Sequence, residues 1–244
     1  MNKKTLAYDY TRNISEHSAS VFLALLLSAD LAFIALHSIR ALTPFLNSTL
    51  FNIEGEGSYS EFYQYIKWLW IIIVLVYISV SRRSFSYIAW VLVFTYLLCD
   101  DALSIHETLG LRIAGTLTLA PPFGLRPRDL GELVVSGAAG LALLLSLIWA
   151  YRHGPQAFKK VSQDILLLIF VLVFFGVVVD MANSSLHLKL GSTVSFLLGV
   201  IEDGGEMLIA SLILWYVFLL SVRDTNATSY LSDFVRVALT RRFT

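Results

Sequence analysis

Three aspartates near the ends of long apolar segments are each followed, seven residues later, by a histidine or a glutamate. The pairs are Asp30/His37, Asp100/Glu107 and Asp180/His187. Seven residues make two helical turns, so both members of a pair lie on one stripe of a helix, rotated by only about 20°. Ionisable groups inside apolar helices are costly and usually mark a functional site. The spacing therefore predicts three helices that direct charged side chains to one place.

Each pair is followed by a glutamate near the start of the next apolar segment, namely Glu61, Glu132 and Glu206. The pattern recurs at intervals of roughly 70 to 80 residues, which fits a two-helix unit repeated three times better than a solenoid repeat. We therefore expect three helical hairpins that place their acidic ends side by side.

The composition indicates a membrane protein. Of 244 residues, 57% are apolar and only 15% are charged, which is too apolar for an ordinary soluble domain. Six segments approach the roughly 20 apolar residues that cross a bilayer: 19–41, 62–81, 85–107, 131–151, 163–187 and 196–222. The predicted fold is an all-α, polytopic bundle of six transmembrane helices in three hairpins. A tail at 1–18 precedes the bundle, and an amphipathic basic tail at 223–244 follows it.

The charges are distributed unevenly between the two ends of this bundle. Twelve of the 18 Lys and Arg residues fall on the side of both termini, which predicts that this side is cytoplasmic. Thirteen of the 18 acidic residues fall in the opposite, outer half. We expect a multi-pass protein of the cell membrane (the inner membrane in a bacterium), with membrane lipids as partners and the basic tail on the inner leaflet. No nucleic-acid partner is expected, and the sequence leaves the oligomeric state open.

Thirteen acids and three histidines in one membrane half predict a bound divalent metal, because unpaired carboxylates so close together repel one another. Mixed imidazole and carboxylate ligands suit zinc, manganese or iron, and an all-oxygen subset suits calcium. The predicted ligands are Asp30, His37, Asp100, His106, Glu107, Asp180, His187 and Glu206. The predicted catalytic carboxylates, acting as general base or supporting the metal, are Asp101, Glu132 and Glu202.

The leading functional prediction is a metal-dependent enzyme of the hydrolase type that acts on a lipid or amphiphilic substrate, since a metal activates water and polarises a carbonyl or phosphoryl group. Two alternatives remain open. A divalent-cation or proton-coupled transporter would also use intramembrane acids, although the predicted inner half offers few polar groups. A non-catalytic, metal-stabilised module or sensor is the third. The sequence contains no Gly-rich phosphate loop, GxSxG, CxxC or HExxH motif.

Overall fold

The computed structural model describes residues 3–44, 46, 48–115, 125–186 and 191–223, and the long elements among them are helices. They are α1 (Lys3–Leu42), α2 (Tyr59–Ser81), α3 (Ile88–Leu103), α4 (Ile105–Ala114), α5 (Pro127–His153), α6 (Gln156–Val173), α7 (Asp180–Leu186) and α8 (Ser192–Val222). A π-helical segment, Phe174–Val179, joins α6 to α7. Six stretches are long and apolar enough to cross a membrane, which confirms the predicted number of spans.

The ends of the elements differ from the predicted boundaries. The predicted tail 1–18 is helical from Lys3 onwards and continuous with α1, and the apolar span itself begins at Glu16. The segment between the third and fourth predicted spans still contains helix as far as Ala114. Of the predicted basic tail 223–244, all but Arg223 lies outside the described residues.

Helix α8 lies at the centre of the bundle and is the most buried span, whereas α5 is the least buried. Helix α8 packs against α1, α2 and α6, and α2 also packs against α3. Side chains on these helices form one apolar core that includes Ile71, Leu75, Phe94, Ile165 and Ile213. In lipid such packing is driven by van der Waals contact rather than by burial from water, so the close fit around α8 holds the bundle together.

The bundle has two chemically different ends. We call one the acidic end: α1, α3 and α7 finish there, α2, α5 and α8 begin there, and α4 lies there. We call the other the basic end, because it contains Arg82, Arg152 and Arg223. The electrostatic contrast that the sequence predicts between the two ends is therefore preserved in the fold.

The predicted third span, 85–107, is broken at Ser104. This residue adopts a left-handed conformation, with φ 46° and ψ 47°, which costs a residue other than glycine about 1–2 kcal/mol. The chain leaves the axis of α3 there and starts α4. Asp100 and Glu107 consequently lie on different helices, and the expectation that they share one stripe is wrong.

Candidate functional site

A cavity of about 460 Å³ opens among the helix ends at the acidic end of the bundle. Its lining includes ten carboxylates: Glu54, Glu56, Glu61, Asp101, Glu107, Glu132, Asp180, Glu202, Asp203 and Glu206. Among the residues that the structure describes, the positively charged lining comes from Arg126 and Arg128, with His106 beside them. Carboxylates therefore outnumber guanidinium groups fivefold around this space.

The cavity gathers much of the predicted site. Four of the eight predicted ligands line it, namely His106, Glu107, Asp180 and Glu206, as do the predicted catalytic residues Asp101, Glu132 and Glu202. Asp30, His37 and Asp100 are buried outside its lining, and His187 lies outside the described residues. In the described part of the chain, no three His, Cys, Asp or Glu side chains stand close enough together to hold a metal ion.

His106 is fixed by Asp100. The break at Ser104 turns the chain back, so that the backbone N–H of His106 donates to Asp100 Oδ1 at 2.9 Å and its Nδ1 lies 2.9 Å from Asp100 Oδ2. The hydrogen bond with this carboxylate raises the pKa of His106 above its ordinary value. Asp100 therefore favours the protonated form of the imidazole at the wall of the cavity and engages its Nδ1.

One wall of the cavity is built by a close contact between α4 and α5. Gly131 approaches Gly110 so closely that a Cβ on Gly131 would overlap the Gly110 carbonyl. Above this contact Arg128 bridges the two helices, with its guanidinium 2.5 Å from both a Glu107 and a Glu132 oxygen. The single charge of Arg128 is thus shared by two carboxylates, and it balances one of their two negative charges within the wall.

The start of α5 is anchored to α7. Asp129 accepts hydrogen bonds from the Arg126 backbone N–H at 2.9 Å and from the Ser184 hydroxyl at 2.7 Å, and it pairs with the Arg126 guanidinium. A carboxylate in the first turn also favours the helix dipole. Both arginines at the cavity therefore form ion pairs: Arg126 with Asp129, and Arg128 with Glu107 and Glu132.

The opposite wall comes from α2. Ser58 caps this helix by accepting from the Glu61 backbone N–H at 3.2 Å, and Tyr65 donates its hydroxyl hydrogen to the Glu61 carboxylate. The indole N–H of Trp68 donates to Asp101 at 2.8 Å. Neutral donors orient both carboxylates and leave their charge in place.

Two glycines let carboxylates approach the backbone at this end. The Glu206 carboxylate lies where a Cβ at Gly176 would stand, within the π-helical segment, and the Glu54 carboxylate does the same at Gly199. Glu206 interacts electrostatically with Asp101, Asp180 and His106. The π-helical segment directly precedes Asp180, and such segments are frequent at functional sites.

His37 fastens the loop between α1 and α2. Its Nδ1 accepts from the Ile53 backbone N–H at 3.3 Å, so the ring proton resides on Nε2, 3.9 Å from Glu54 Oε1. The ring stacks on Phe196 with 5.3 Å between centroids. Partial burial raises the pKa of Glu54 above its ordinary value. His37 therefore holds the backbone of the residue before Glu54, while its Nε2 has no hydrogen-bond partner in the described structure.

Asp30 has a partner that the sequence analysis missed. Lys67, Asp30 and Ser211 are all fully buried and form what we call the buried triad. The Lys67 ammonium lies 3.0 Å from Asp30 Oδ1 and 2.8 Å from the Met207 carbonyl oxygen, and Ser211 donates to Asp30 Oδ2 at 2.6 Å. A lysine inside the second apolar segment was the available signal, because a buried cation requires an acidic partner.

The chain can be placed in a family. A family model described as "Domain of unknown function (DUF8692)" matches residues 19–222, which is most of the chain, so the chain belongs to this family. The matched region comprises the six apolar spans almost completely. No curated protein and no solved structure shows significant similarity to the chain.

Proposed function

We propose that this member of the family is a multi-pass membrane protein that binds a divalent metal in its acidic cavity and uses it to hydrolyse a lipid or amphiphilic substrate. One observation carries the proposal: ten carboxylates line a cavity in which the described cationic side chains are two arginines and one histidine. Such an excess of negative charge at the end of a membrane bundle is stabilised most simply by a bound cation.

The metal belongs among His106, Asp101, Asp180 and Glu206, because Glu206 interacts electrostatically with each of the other three. Since the described side chains form no ready-made ligand group, binding requires at least one of these side chains to rotate towards the ion. Imidazole with carboxylates suits zinc, manganese or iron, and carboxylates alone suit calcium. Glu132, a predicted catalytic carboxylate in the lining, is then available as the general base that deprotonates the attacking water.

The depth of the cavity favours hydrolysis over transport. Below it lie the buried triad and then apolar side chains with almost no exposed surface, among them Ile71, Leu75, Ile213 and Val217. A transported ion would need polar groups along the remaining route, whereas a catalytic site needs access from one end only. A substrate reaching this depth from the bilayer would be amphiphilic.

We further propose that the acidic end is extracytoplasmic and both termini are cytoplasmic, because twelve of 18 basic residues lie on the side of the termini. Consecutive spans are joined in three pairs at the acidic end, as a three-hairpin topology requires, although α1 packs chiefly on α8 rather than on α2. Reporter fusions at Arg83 and after the last span should read as cytoplasmic, and a fusion at Pro122 as extracytoplasmic.

Elemental analysis of the purified full-length chain tests the metal. We expect about one metal or more per chain, retained in Glu16→Gln at the basic end and lost in the paired variant Asp180→Asn/Glu206→Gln. Full occupancy in the paired variant would contradict the proposed site. The same proteins are then assayed in lipid vesicles for release of hydrolysis products.

Vesicle assays separate the proposed hydrolase from its alternatives. Product release that requires metal and disappears in Asp180→Asn supports the proposal. Divalent-cation or proton flux in the parent that the same substitution removes would replace it with a transporter. Bound metal without turnover or flux would leave a metal-stabilised module or sensor.

A further inference from the structure

We propose that the substrate carries a protonated amine, and that Gln64, Glu202 and Asp203 hold this amine beside the metal. The inference rests on the proposed function, because it names the headgroup of the amphiphile that the cavity would accept. It depends on three features: the size of the cavity, the uneven distribution of its cations, and an unpartnered acceptor in its lining.

The cavity is too large for a metal ion alone. One water molecule occupies about 30 Å³ in the liquid, so a cavity of about 460 Å³ has room for an ion with its waters and for an organic group beside them. Pockets for small organic ligands begin at about 300 Å³. The lining should therefore contain polar groups that recognise such a ligand.

The two arginines form their ion pairs on one wall. Arg126, the residue before α5, pairs with Asp129, and Arg128 pairs with Glu107 and Glu132. Arg126 also interacts electrostatically with Asp180 on α7. On α8, Glu202 hydrogen-bonds with the Asn183 side chain and interacts electrostatically with Asp180 and Glu54, and Asp203 interacts with Glu202 and other carboxylates. Within the described residues, neither forms an ion pair with a Lys or Arg. This half of the cavity has anionic acceptors that a ligand cation would neutralise.

Gln64 supplies the independent observation. It lines the cavity, only 8% of its surface is exposed, and its Oε1 receives no hydrogen bond in the described structure. A buried carbonyl oxygen without a donor is costly, by about 1–3 kcal/mol. Helices α2 and α8 both start at the acidic end, and Lys67 on α2 contacts Met207 on α8. Gln64 precedes Lys67 by about one turn and Asp203 precedes Met207 by about one turn, so Gln64 and Asp203 lie at the same level.

A primary ammonium matches these acceptors. It has three N–H donors and no acceptor, so one group can bond to a carboxamide oxygen and two carboxylates together. The same helices already hold such a group one turn deeper, where the Lys67 ammonium meets a carboxylate, a carbonyl oxygen and a hydroxyl. An anionic headgroup would be repelled by the carboxylates of α8, and a neutral one would leave their negative charge uncompensated.

Four probes of graded chemistry test the inference on the full-length, metal-loaded chain in detergent: octylamine, octyltrimethylammonium, octanol and butylamine. Calorimetric titration should show octylamine binding about tenfold more tightly than octyltrimethylammonium, which has the charge but no N–H donor, since a hydrogen bond to a charged group contributes about 1.5 kcal/mol or more. Octanol should bind most weakly. Tighter binding of octylamine than of butylamine supports an amphiphile, and equal binding would overturn that part.

Substitutions locate the binding groups. Gln64→Leu should reduce the preference for octylamine over octyltrimethylammonium, because one of three hydrogen-bond acceptors is lost, whereas Gln64→Glu should strengthen the binding of both cations. Glu202→Gln/Asp203→Asn should weaken both cations, and Glu16→Gln at the basic end should change nothing. The melting temperature of each variant reports whether it is folded.

Two outcomes would overturn the inference: equal affinity of the parent for octylamine and octyltrimethylammonium, or an unchanged preference in both Gln64 variants. Metal per chain, measured on the same samples, separates the two proposals. Metal without an amine preference overturns the inference and leaves the proposed function standing. An amine preference without metal does the reverse, because it supports the ammonium site and contradicts the metal.

Discussion

The buried triad and the cavity lie one helical turn apart on α2, yet they treat charge in opposite ways. Lys67 and Asp30 are fully buried and neutralise each other, and Ser211 and the Met207 carbonyl complete their hydrogen bonds. In the cavity ten carboxylates meet two arginines, and both arginines belong to one wall.

The contrast separates charges that hold the bundle together from charges that the proposed metal and substrate would neutralise. A buried ion pair that satisfies itself has no use for a further partner, and breaking it leaves an uncompensated charge. Carboxylates without a partner repel one another, so the same helices become more stable when a cation binds between them. Substitution in the two regions should therefore have opposite effects on stability.

The largest effect is expected from Lys67→Met. The substitution leaves Asp30 buried without its cation, so we expect a loss of about 3–5 kcal/mol in the free energy of unfolding, measured by denaturation in detergent micelles. The double variant Lys67→Met/Asp30→Asn should recover most of this loss, and Lys159→Met, at a partly exposed site, should change little. Equal stability of the single variant and the parent would mean that the triad does not support the bundle.

Overlap in the α4–α5 wall should have the next largest effect. In Gly131→Ala the new methyl group meets the backbone carbonyl of Gly110, and forcing two helices apart costs typically about 1–3 kcal/mol. Gly137→Ala is a matched control on the same helix, because a Cβ there meets nothing within 4 Å. We expect it to be neutral or to stabilise by up to about 1 kcal/mol. Thermal unfolding of both variants checks the prediction, which similar melting temperatures would contradict.

A substitution that removes one cavity carboxylate should stabilise the metal-free protein slightly. We expect Glu206→Gln to gain about 1 kcal/mol, the repulsion of two unit charges about 4 Å apart in water, which corresponds to some 2–4 °C in melting temperature for a chain of this size. Addition of manganese or zinc should then stabilise the parent more than the variant. Destabilisation of the metal-free variant would show that Glu206 is held by the fold as Asp30 is.

The smallest effect concerns pH. The hydrogen bond with Asp100 raises the pKa of His106, so protonated His106 stabilises the folded state at pH below its ordinary value of about 6.5. That contribution is lost as the pH rises through the raised pKa. Unfolding between pH 6 and 9 should therefore show a decline in stability that His106→Asn removes and that the same change at exposed His17 does not. An identical profile for both variants would exclude His106 as its source.

The sequence was sufficient for features that depend on local pattern. The length of the apolar segments predicted six spans. The positions of the acids relative to these spans predicted that they cluster, and ten of the thirteen outer acids line one cavity. Contacts between distant segments were beyond it: Ser211 reaches Asp30 across 181 positions of the chain. The break at Ser104 was also hidden, because serine fits the helical pattern and only the structure reveals its left-handed backbone.

The π-helical segment before Asp180 makes the number of residues in the chain as important as their identity. A π turn contains one residue more than an α turn, and each residue of an α-helix turns the next by about 100°. Both turns complete one full circle, so deleting a single residue from Phe174–Val179 would restore an α turn and keep Asp180 facing the cavity, whereas the same deletion within the α-helical part of the span would rotate Asp180 by about that angle. In an alignment of the family, a one-residue gap within this segment is therefore compatible with an assembled site, whereas a gap elsewhere in the same span would disperse it.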